Sequence, residues 1–199
     1  MGAVTRWEPN ASGRLQLAAL ELYSERGYDQ TTVSEIARRA GLTERTFFRY
    51  FADKREVLFY GAGMLQDRLV QGIDDAAAQL APLDAIGAAL EAAAGPVEEI
   101  RDFSRQRQAI IAANPELQER ELIKLATLGE ALAEALRRRG VADTAAKLAA
   151  EAGMAVFKVA FQRWACGTGE ESLAEIIRQS LAEMKAVATA AKPGLVLQG

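Results

Sequence analysis

The sequence contains no histidine and only one cysteine, Cys166. Without histidine there is no Ser-His-Asp or Cys-His nucleophile and no His-based metal site. One thiol cannot close an internal disulfide or complete a zinc knuckle. No pair of carboxylates stands apart from a solvated charged face, so an enzyme is not expected, nor a bound metal or other cofactor. No run of about 18 uninterrupted apolar residues occurs, which excludes a membrane-spanning helix. The opening MGAVTRWEPNASGR lacks the apolar segment of a secretory signal, so a cytoplasmic location is expected. Aromatic residues are scarce, at 7%. The net charge of −3 gives no global basic field of the kind that draws polyanions.

What remains is helical in character. Half of the 199 residues are apolar, and alanine, leucine, glutamate and arginine dominate. That composition favours an all-α protein with one or two modest cores. Residues 1–60 carry nine Lys/Arg against eight Asp/Glu, and the remainder fifteen against nineteen. Basic character is therefore a local matter. It concentrates between Arg38 and Arg55, where Arg38, Arg39, Arg45, Arg49, Lys54 and Arg55 face only Glu44 and Asp53.

All of that patch but Arg55 belongs to the stretch TVSEIARRAGLTERTFFRYFADK, from Thr32 to Lys54. Thr32 with Glu35 three residues on is a capping box that starts a helix. Ile36, Ala37 and Ala40 form its inward face, and Gly41 stands where a tight turn needs positive φ. Thr43 caps a second helix, in which Phe47, Tyr50 and Phe51 recur at helical spacing. Its free face carries Glu44, Arg45, Thr46 and Arg49. A single helix fits the DNA major groove, about 12 Å wide, so the pair reads as a helix-turn-helix with the second helix as reader. An ordinary αα-hairpin with a solvated charged face is the competing reading. It would make the chain a helical protein-interaction adaptor without sequence-specific DNA binding.

Taken with its flanks, LxxAxxLYSERGYDQTTVSEIARRAGLTERTFFRYFADKREVLF, the segment from about Arg14 to Phe59 resembles the DNA-binding domain of TetR-family transcriptional regulators. The resemblance rests on the aromatic after Gly27, the paired Thr31 and Thr32, the Ala37/Gly41 turn, the aromatic run and Lys54. The rest of the chain is similar to the family in length and helical character, and to a subgroup with acyl-CoA-like ligand domains. The resemblance implies a dimeric, ligand-released repressor acting on a palindromic operator. It places DNA contacts at Thr43 through Thr46, at Phe48 to Tyr50, and at Lys54. By chemistry, Arg45 is the direct base reader, with Arg49 and Glu44 beside it. Thr32, Ser34, Thr43, Thr46, Tyr50 and Lys54 suit phosphates, which position without specifying sequence. Phe48 stands where many relatives have Tyr and Tyr50 where many have His. Phe48 cannot donate a hydrogen bond, so its place among the phosphate contacts is open to packing on a sugar or thymine methyl instead.

The expected layout is a tail over 1–10, a three-helix DNA-binding unit over 11–54, a helical effector-binding and dimerisation domain over 55–190, and a tail over 191–199. About nine helices are expected. Helix 1 runs from about Gly13 to Arg26, where Gly27 ends it. A long helix starts after Asp53 and continues through Leu58, Leu65, Leu69 and Ile73, linking the two domains. Pro82, Pro96 and Pro115 divide the next part of the chain into helices in the 80s, over 97–113 and over 116–139. The stretch IGAALEAAAG is small and flexible in character. Leu122, Leu125, Leu128, Leu132 and Leu136 form a seam, and Arg137–Arg139 read as a solvated helix end. The last helices span about Asp143–Cys166 and Glu170–Ala188, with Thr168 and Glu171 as a capping box. Their faces, Leu148, Ala152, Ala155, Val159 and Ala160 on one and Leu173, Ile176, Ile177, Leu181 and Met184 on the other, suit a four-helix bundle between two chains. Closing an intramolecular core is the alternative. Met64, Phe103, Met154, Phe157, Phe161 and Trp164 are candidates to line a cavity for an apolar or amphipathic effector, with core packing the alternative for each. Arg107 lies one turn after Phe103, placed to meet a carboxylate or phosphate at its mouth or a nearby acid.

Overall fold

The computed structural model of the chain describes residues 11–167 and 169–189. Both expected tails and Thr168 lie outside the described residues. The described residues form nine α-helices: α1 Ala11–Arg26, α2 Val33–Arg39, α3 Glu44–Tyr50, α4 Ala62–Asp74, α5 Pro82–Glu98, α6 Arg101–Ala113, α7 Pro115–Arg138, α8 Asp143–Cys166 and α9 Leu173–Thr189. A 3-10 turn, Glu56–Phe59, precedes α4. No strand occurs among the described residues. The chain separates into two compact units. One runs to Met64 and takes in Arg101–Ala126; the other holds Leu65–Ile100 and the chain from Thr127 on. The helical hairpin of α6 and early α7 is therefore grouped with the N-terminal unit.

The first unit closes around α1, whose Leu15, Ala19, Leu22 and Tyr23 meet Ile36, Phe47, Phe51, Val57, Leu58, Phe59, Ile111 and Leu117. Each such large side chain, fully buried, stabilises by roughly 1.5–3 kcal/mol. The expected continuous helix from Asp53 to Ile73 is broken. The Asp53 carboxylate accepts the N–H groups of Arg55 (2.8 Å) and Glu56 (3.2 Å), which winds a tight turn. Gly61 then delays the α-helix, which starts at Ala62, since a glycine costs about 1 kcal/mol in a helix.

In the second unit α5, α8 and α9 pack on one another. IGAALEAAAG is the buried centre of this unit rather than a flexible stretch. Ala85, Ile86, Ala89, Leu90, Ala93 and Ala94 of α5 are all inside. Small residues are needed because the helices come close. A Cβ on Gly153 would sit 2.5 Å from Ile86 Cγ2, and one on Gly72 would sit 2.9 Å from Ala89 Cβ. Pro82 opens α5, but Pro96 does not close it; the helix continues to Glu98. Pro96 lies in the last turn with Ala92 on the exposed side, so the carbonyl it frees faces water.

Two further expectations change. The arginine triplet at the end of α7 is occupied, not merely solvated. Arg137 pairs with Glu134 and Asp143, and Arg138 with Asp74. Arg139 donates to the carbonyls of Ile73 (2.5 Å), Ala76 (2.7 Å) and Ala77 (2.8 Å), capping the end of α4. The apolar face of α9 is turned inward, with Leu173, Ile176, Ile177 and Leu181 buried in their own unit. On α8 the stripe is divided: Ala160 is buried, whereas Leu148 is 67% and Val159 58% exposed. Helix α9 starts at Leu173, and Ser172 Oγ accepts the Glu175 N–H at 3.1 Å.

Candidate nucleic-acid interface

The turn between α2 and α3 is built as its sequence requires. Thr32 Oγ1 accepts the Glu35 N–H at 3.3 Å while the Glu35 carboxylate accepts the Thr32 N–H at 2.9 Å. Glu35 is held below its usual value by the Thr32 backbone and hydroxyl bonds, so it stays an anion at the helix start. Gly41 takes φ +65°, and Leu42 N–H reaches back to Ala37 O at 2.8 Å. Arg14 crosses from α1 to bond the Ala40 and Gly41 carbonyls, so the turn is fixed from behind. Thr43 Oγ1 accepts the Thr46 N–H at 3.2 Å and caps α3. Phe47 is fully buried and packs on Phe51 at 5.4 Å between centroids, which anchors α3 by one face.

The opposite face of α3 is free. Glu44, Arg45, Phe48, Arg49 and Tyr50 are exposed, and Thr46 is half-buried. Phe48 stands 55% exposed, with its ring edge-on to Phe47 at 5.5 Å. Arg49 lies over the Tyr50 ring at 5.0 Å and donates to its hydroxyl at 3.2 Å. On α2, Ser34 is exposed, and the N-cap Thr32 is exposed but committed to its cap.

Ion pairs sort the basic residues of this segment. Arg39 is bound to Glu21 (3.0 Å) and Glu25 (2.8 Å) of α1. Arg55 is bound to Asp53 at 2.7 Å. Lys54 points into the protein, donating to the carbonyls of Tyr28 (2.8 Å) and Thr31 (3.1 Å). Arg45 and Arg38 make no hydrogen bond or ion pair with any described residue. Arg38 was not among the expected DNA-contacting residues. It sits four residues after Ser34 and so shares that face of α2. Only the pairing of its neighbour Arg39 separates the two, and their adjacent letters carry no such signal.

The candidate effector residues are divided between the units. Met64, Phe103 and Arg107 belong to the first: Met64 is exposed, and Phe103 packs against the core. Arg107 donates to Leu58 O at 2.7 Å and to Glu121 at 3.2 Å, with its guanidinium 4.9 Å from the centre of the Phe59 ring. Burial pushes its pKa below the usual arginine value, and Glu121 opposes that shift. In the second unit Met154 and Trp164 are buried, while Phe157, Phe161 and Trp164 form a ladder with centroids 5.8 Å apart. An open cleft of about 380 Å³ lies in the first unit, lined by Tyr23, Gly27 and Tyr28 on one side and by Gln106 and Ile110 of α6 with Asn114 on the other. None of the expected effector residues lines it.

Residues 17–60 match the family model described as bacterial regulatory proteins, tetR family. Residues 80–189, more than half of the chain, match the model of the MftR C-terminal domain. The chain belongs to the TetR family. A Mycobacterium tuberculosis protein named as a mycofactocin biosynthesis transcriptional regulator, MftR, is 31% identical over 126 residues, 63% of this chain and 64% of that one. The transcriptional regulator TcmR of Streptomyces glaucescens is 33% identical over 106 residues, 48% of this chain and 47% of that one. The chain thus spans less than two thirds of either relative. Among solved structures, Bacillus subtilis FadR in complex with stearoyl-CoA superposes with a TM-score of 0.61 at 19% identity, covering 86% of this chain and 96% of that one. Thermus thermophilus FadR in complex with lauroyl-CoA gives 0.56 at 23%, covering 94% of this TetR-family chain and all of the other. At such identities the likeness is one of fold.

Proposed function

We propose that the chain is a sequence-specific DNA-binding transcriptional regulator, a dimeric repressor that sits on a palindromic operator and is released by a small molecule. The observation that carries this reading is α3: capped at its start, anchored by Phe47, and presenting an unpaired Arg45 beside Glu44 and Arg49. Arg45 reads a base, and its fork on a guanine contributes about 1–3 kcal/mol of discrimination. Arg49 and Glu44 support it. Thr43, Thr46, Tyr50 and Ser34 serve phosphates, and Arg38 joins them.

Dimerisation follows from the arithmetic of recognition, since one seven-residue helix makes too few base contacts for a useful specificity ratio. On α8, Leu148 and Val159 are exposed, and Ala152 and Ala155 between them are half-buried. This stripe is the surface we assign to the partner chain, with α9 alongside. Two reading heads about 34 Å apart would then enter successive major grooves. An effector releases the DNA only if it binds a different spacing more tightly. We expect an apolar or amphipathic compound, lodged in the second unit near Phe157 and Phe161. The two FadR proteins of this fold are solved with acyl-CoAs, which are amphipathic.

The test is selection of bound duplexes from a random pool, repeated with Arg45→Ala and with Leu148→Asp/Val159→Asp. A palindrome should be enriched by the wild type and relaxed at one base pair per half-site by Arg45→Ala. The double aspartate variant should sediment as a folded monomer and lose the palindrome. No enrichment by the wild type, at low salt as at high, would sink the reading.

A further inference from the structure

Lys54 is one of the residues that carry the family resemblance, and main-chain carbonyls surround its charge. Its ammonium donates to the carbonyls of Tyr28 at 2.8 Å, Thr31 at 3.1 Å and Asp29 at 3.4 Å. An ammonium has three donors, and three acceptors take them. The same nitrogen lies 4.2 Å from the centre of the Tyr28 ring, an added cation–π attraction. The main chain of Lys54 is held as well, where Tyr23 Oη donates to Lys54 O at 2.7 Å.

These bonds join two separate parts of the helix-turn-helix unit. Tyr28, Asp29 and Thr31 form the loop between α1 and α2, and Thr32 at its end is the α2 cap. Thr31 is itself buried, its hydroxyl donating to Gly27 O at 2.9 Å. Lys54 stands at the exit from α3. A lysine turned outward to a phosphate would leave the partly buried carbonyls of Tyr28 and Thr31 short of a charged donor, which costs about 1–3 kcal/mol for each group stranded.

We infer that Lys54 is a positioning residue, whose ammonium fixes the start of α2 against the end of α3, and that it makes no phosphate contact of its own. This rests on the reading that α3 enters DNA. Arg38, Arg45 and Arg49 then carry the phosphate and base charge of the face, and Lys54 sets the angle at which they arrive.

Salt dependence separates the two roles, because each phosphate left without its cation lowers the slope of log K against log salt by about 0.9. We would measure binding of a short random-sequence duplex between about 50 and 200 mM salt for the wild type, Lys54→Met, Lys54→Arg and Arg45→Ala. Melting temperature and amide hydrogen exchange over residues 27–35 would be followed in the same four proteins without DNA. Lys54→Met should bind about tenfold more weakly at every salt concentration with an unchanged slope. It should melt roughly 4–8 °C lower and lose exchange protection in the loop. Lys54→Arg keeps the charge but presents a flat fork to three carbonyls, so it should lose the same protection. Recovery of wild-type affinity and protection by Lys54→Arg would overturn the inference. So would a slope reduced by about 0.9 per subunit in Lys54→Met, or unchanged melting and exchange there. If the wild type binds no duplex, the DNA reading fails, and the exchange data still decide whether Lys54 holds the loop.

Discussion

Arg107 shows how a single buried cation is made tolerable. Its side chain is 18% exposed and that of its partner Glu121 22%, and the Leu58 carbonyl and Phe59 ring complete the shell. Glu56, in the same turn as Leu58, is held by Arg120 and by Lys124 at 3.0 Å. Removing one member of a buried pair leaves the other charge unpaired, a loss of about 3–5 kcal/mol when burial is complete. With about a fifth of each side chain still in water, Arg107→Met should cost about 2–3 kcal/mol in urea unfolding. A loss under about 0.5 kcal/mol would mean that the pair behaves like any surface ion pair. The sequence placed Arg107 one turn after Phe103 and left an effector or an acid as partners. Only the fold brings Glu121 opposite it.

Elements pack closely where the chain is small, and the glycines of the helices are not equivalent. Gly153 on α8 faces Ile86 on α5, whose Cγ2 branches directly from a buried backbone and cannot swing aside without changing rotamer. Overpacking costs typically about 1–3 kcal/mol, and alanine regains about 1 kcal/mol of helix propensity. Gly153→Ala should therefore lower stability by about 1 kcal/mol net. Gly63, in the first turn of α4, is exposed, and no atom lies within 4 Å of the point where a Cβ would stand. Gly63→Ala should raise stability by about 0.4–1 kcal/mol. Thermal melts of the two variants should move in opposite directions; a shift upward for both would show that α5 and α8 are not closely packed. Composition alone marked the α5 stretch as small and flexible, because alanine and glycine look alike whether a helix is loose or pressed against its neighbours.

For the whole molecule, the charge pattern sets a pH range. Burial pushes Asp53 and Glu56 up, but hydrogen bonds from Arg55 to the first and from Arg120 and Lys124 to the second pull both below their ordinary values of 3.8 and 4.5. Glu25 is lowered by its bond from Arg39, and Glu171 by bonds from Gln179 and Arg163. A carboxyl depressed in the folded state binds fewer protons than in the unfolded chain. Its contribution is complete above the unfolded value and is lost as pH falls through the folded one. Histidine is absent, so no imidazole titrates between pH 5 and 8. The melting temperature should be level from about pH 5.5 to 8 and fall below about pH 4.5. A step near neutral pH would show that some other group is strongly shifted.

Elements whose signals are local could be read from the linear sequence. The Thr32/Glu35 box, the Gly41 turn, the Thr43 cap and the Phe47/Phe51 anchor each lie within a few residues, so the helix-turn-helix and the α8 boundaries were legible. The free face of α3 followed from the same periodicity. Which charges remain available was settled by folding in three dimensions. Arg38 and Arg39 are adjacent letters, yet Glu21 and Glu25 of α1 take one and leave the other. Lys54 and the Arg137–Arg139 triplet look exposed in sequence and are spent on carbonyls and carboxylates brought up by other segments. The same is true of the α9 face, which is apolar in any frame but covered by its own unit. Periodicity says that a face must be buried; only the approach of a second element says by what.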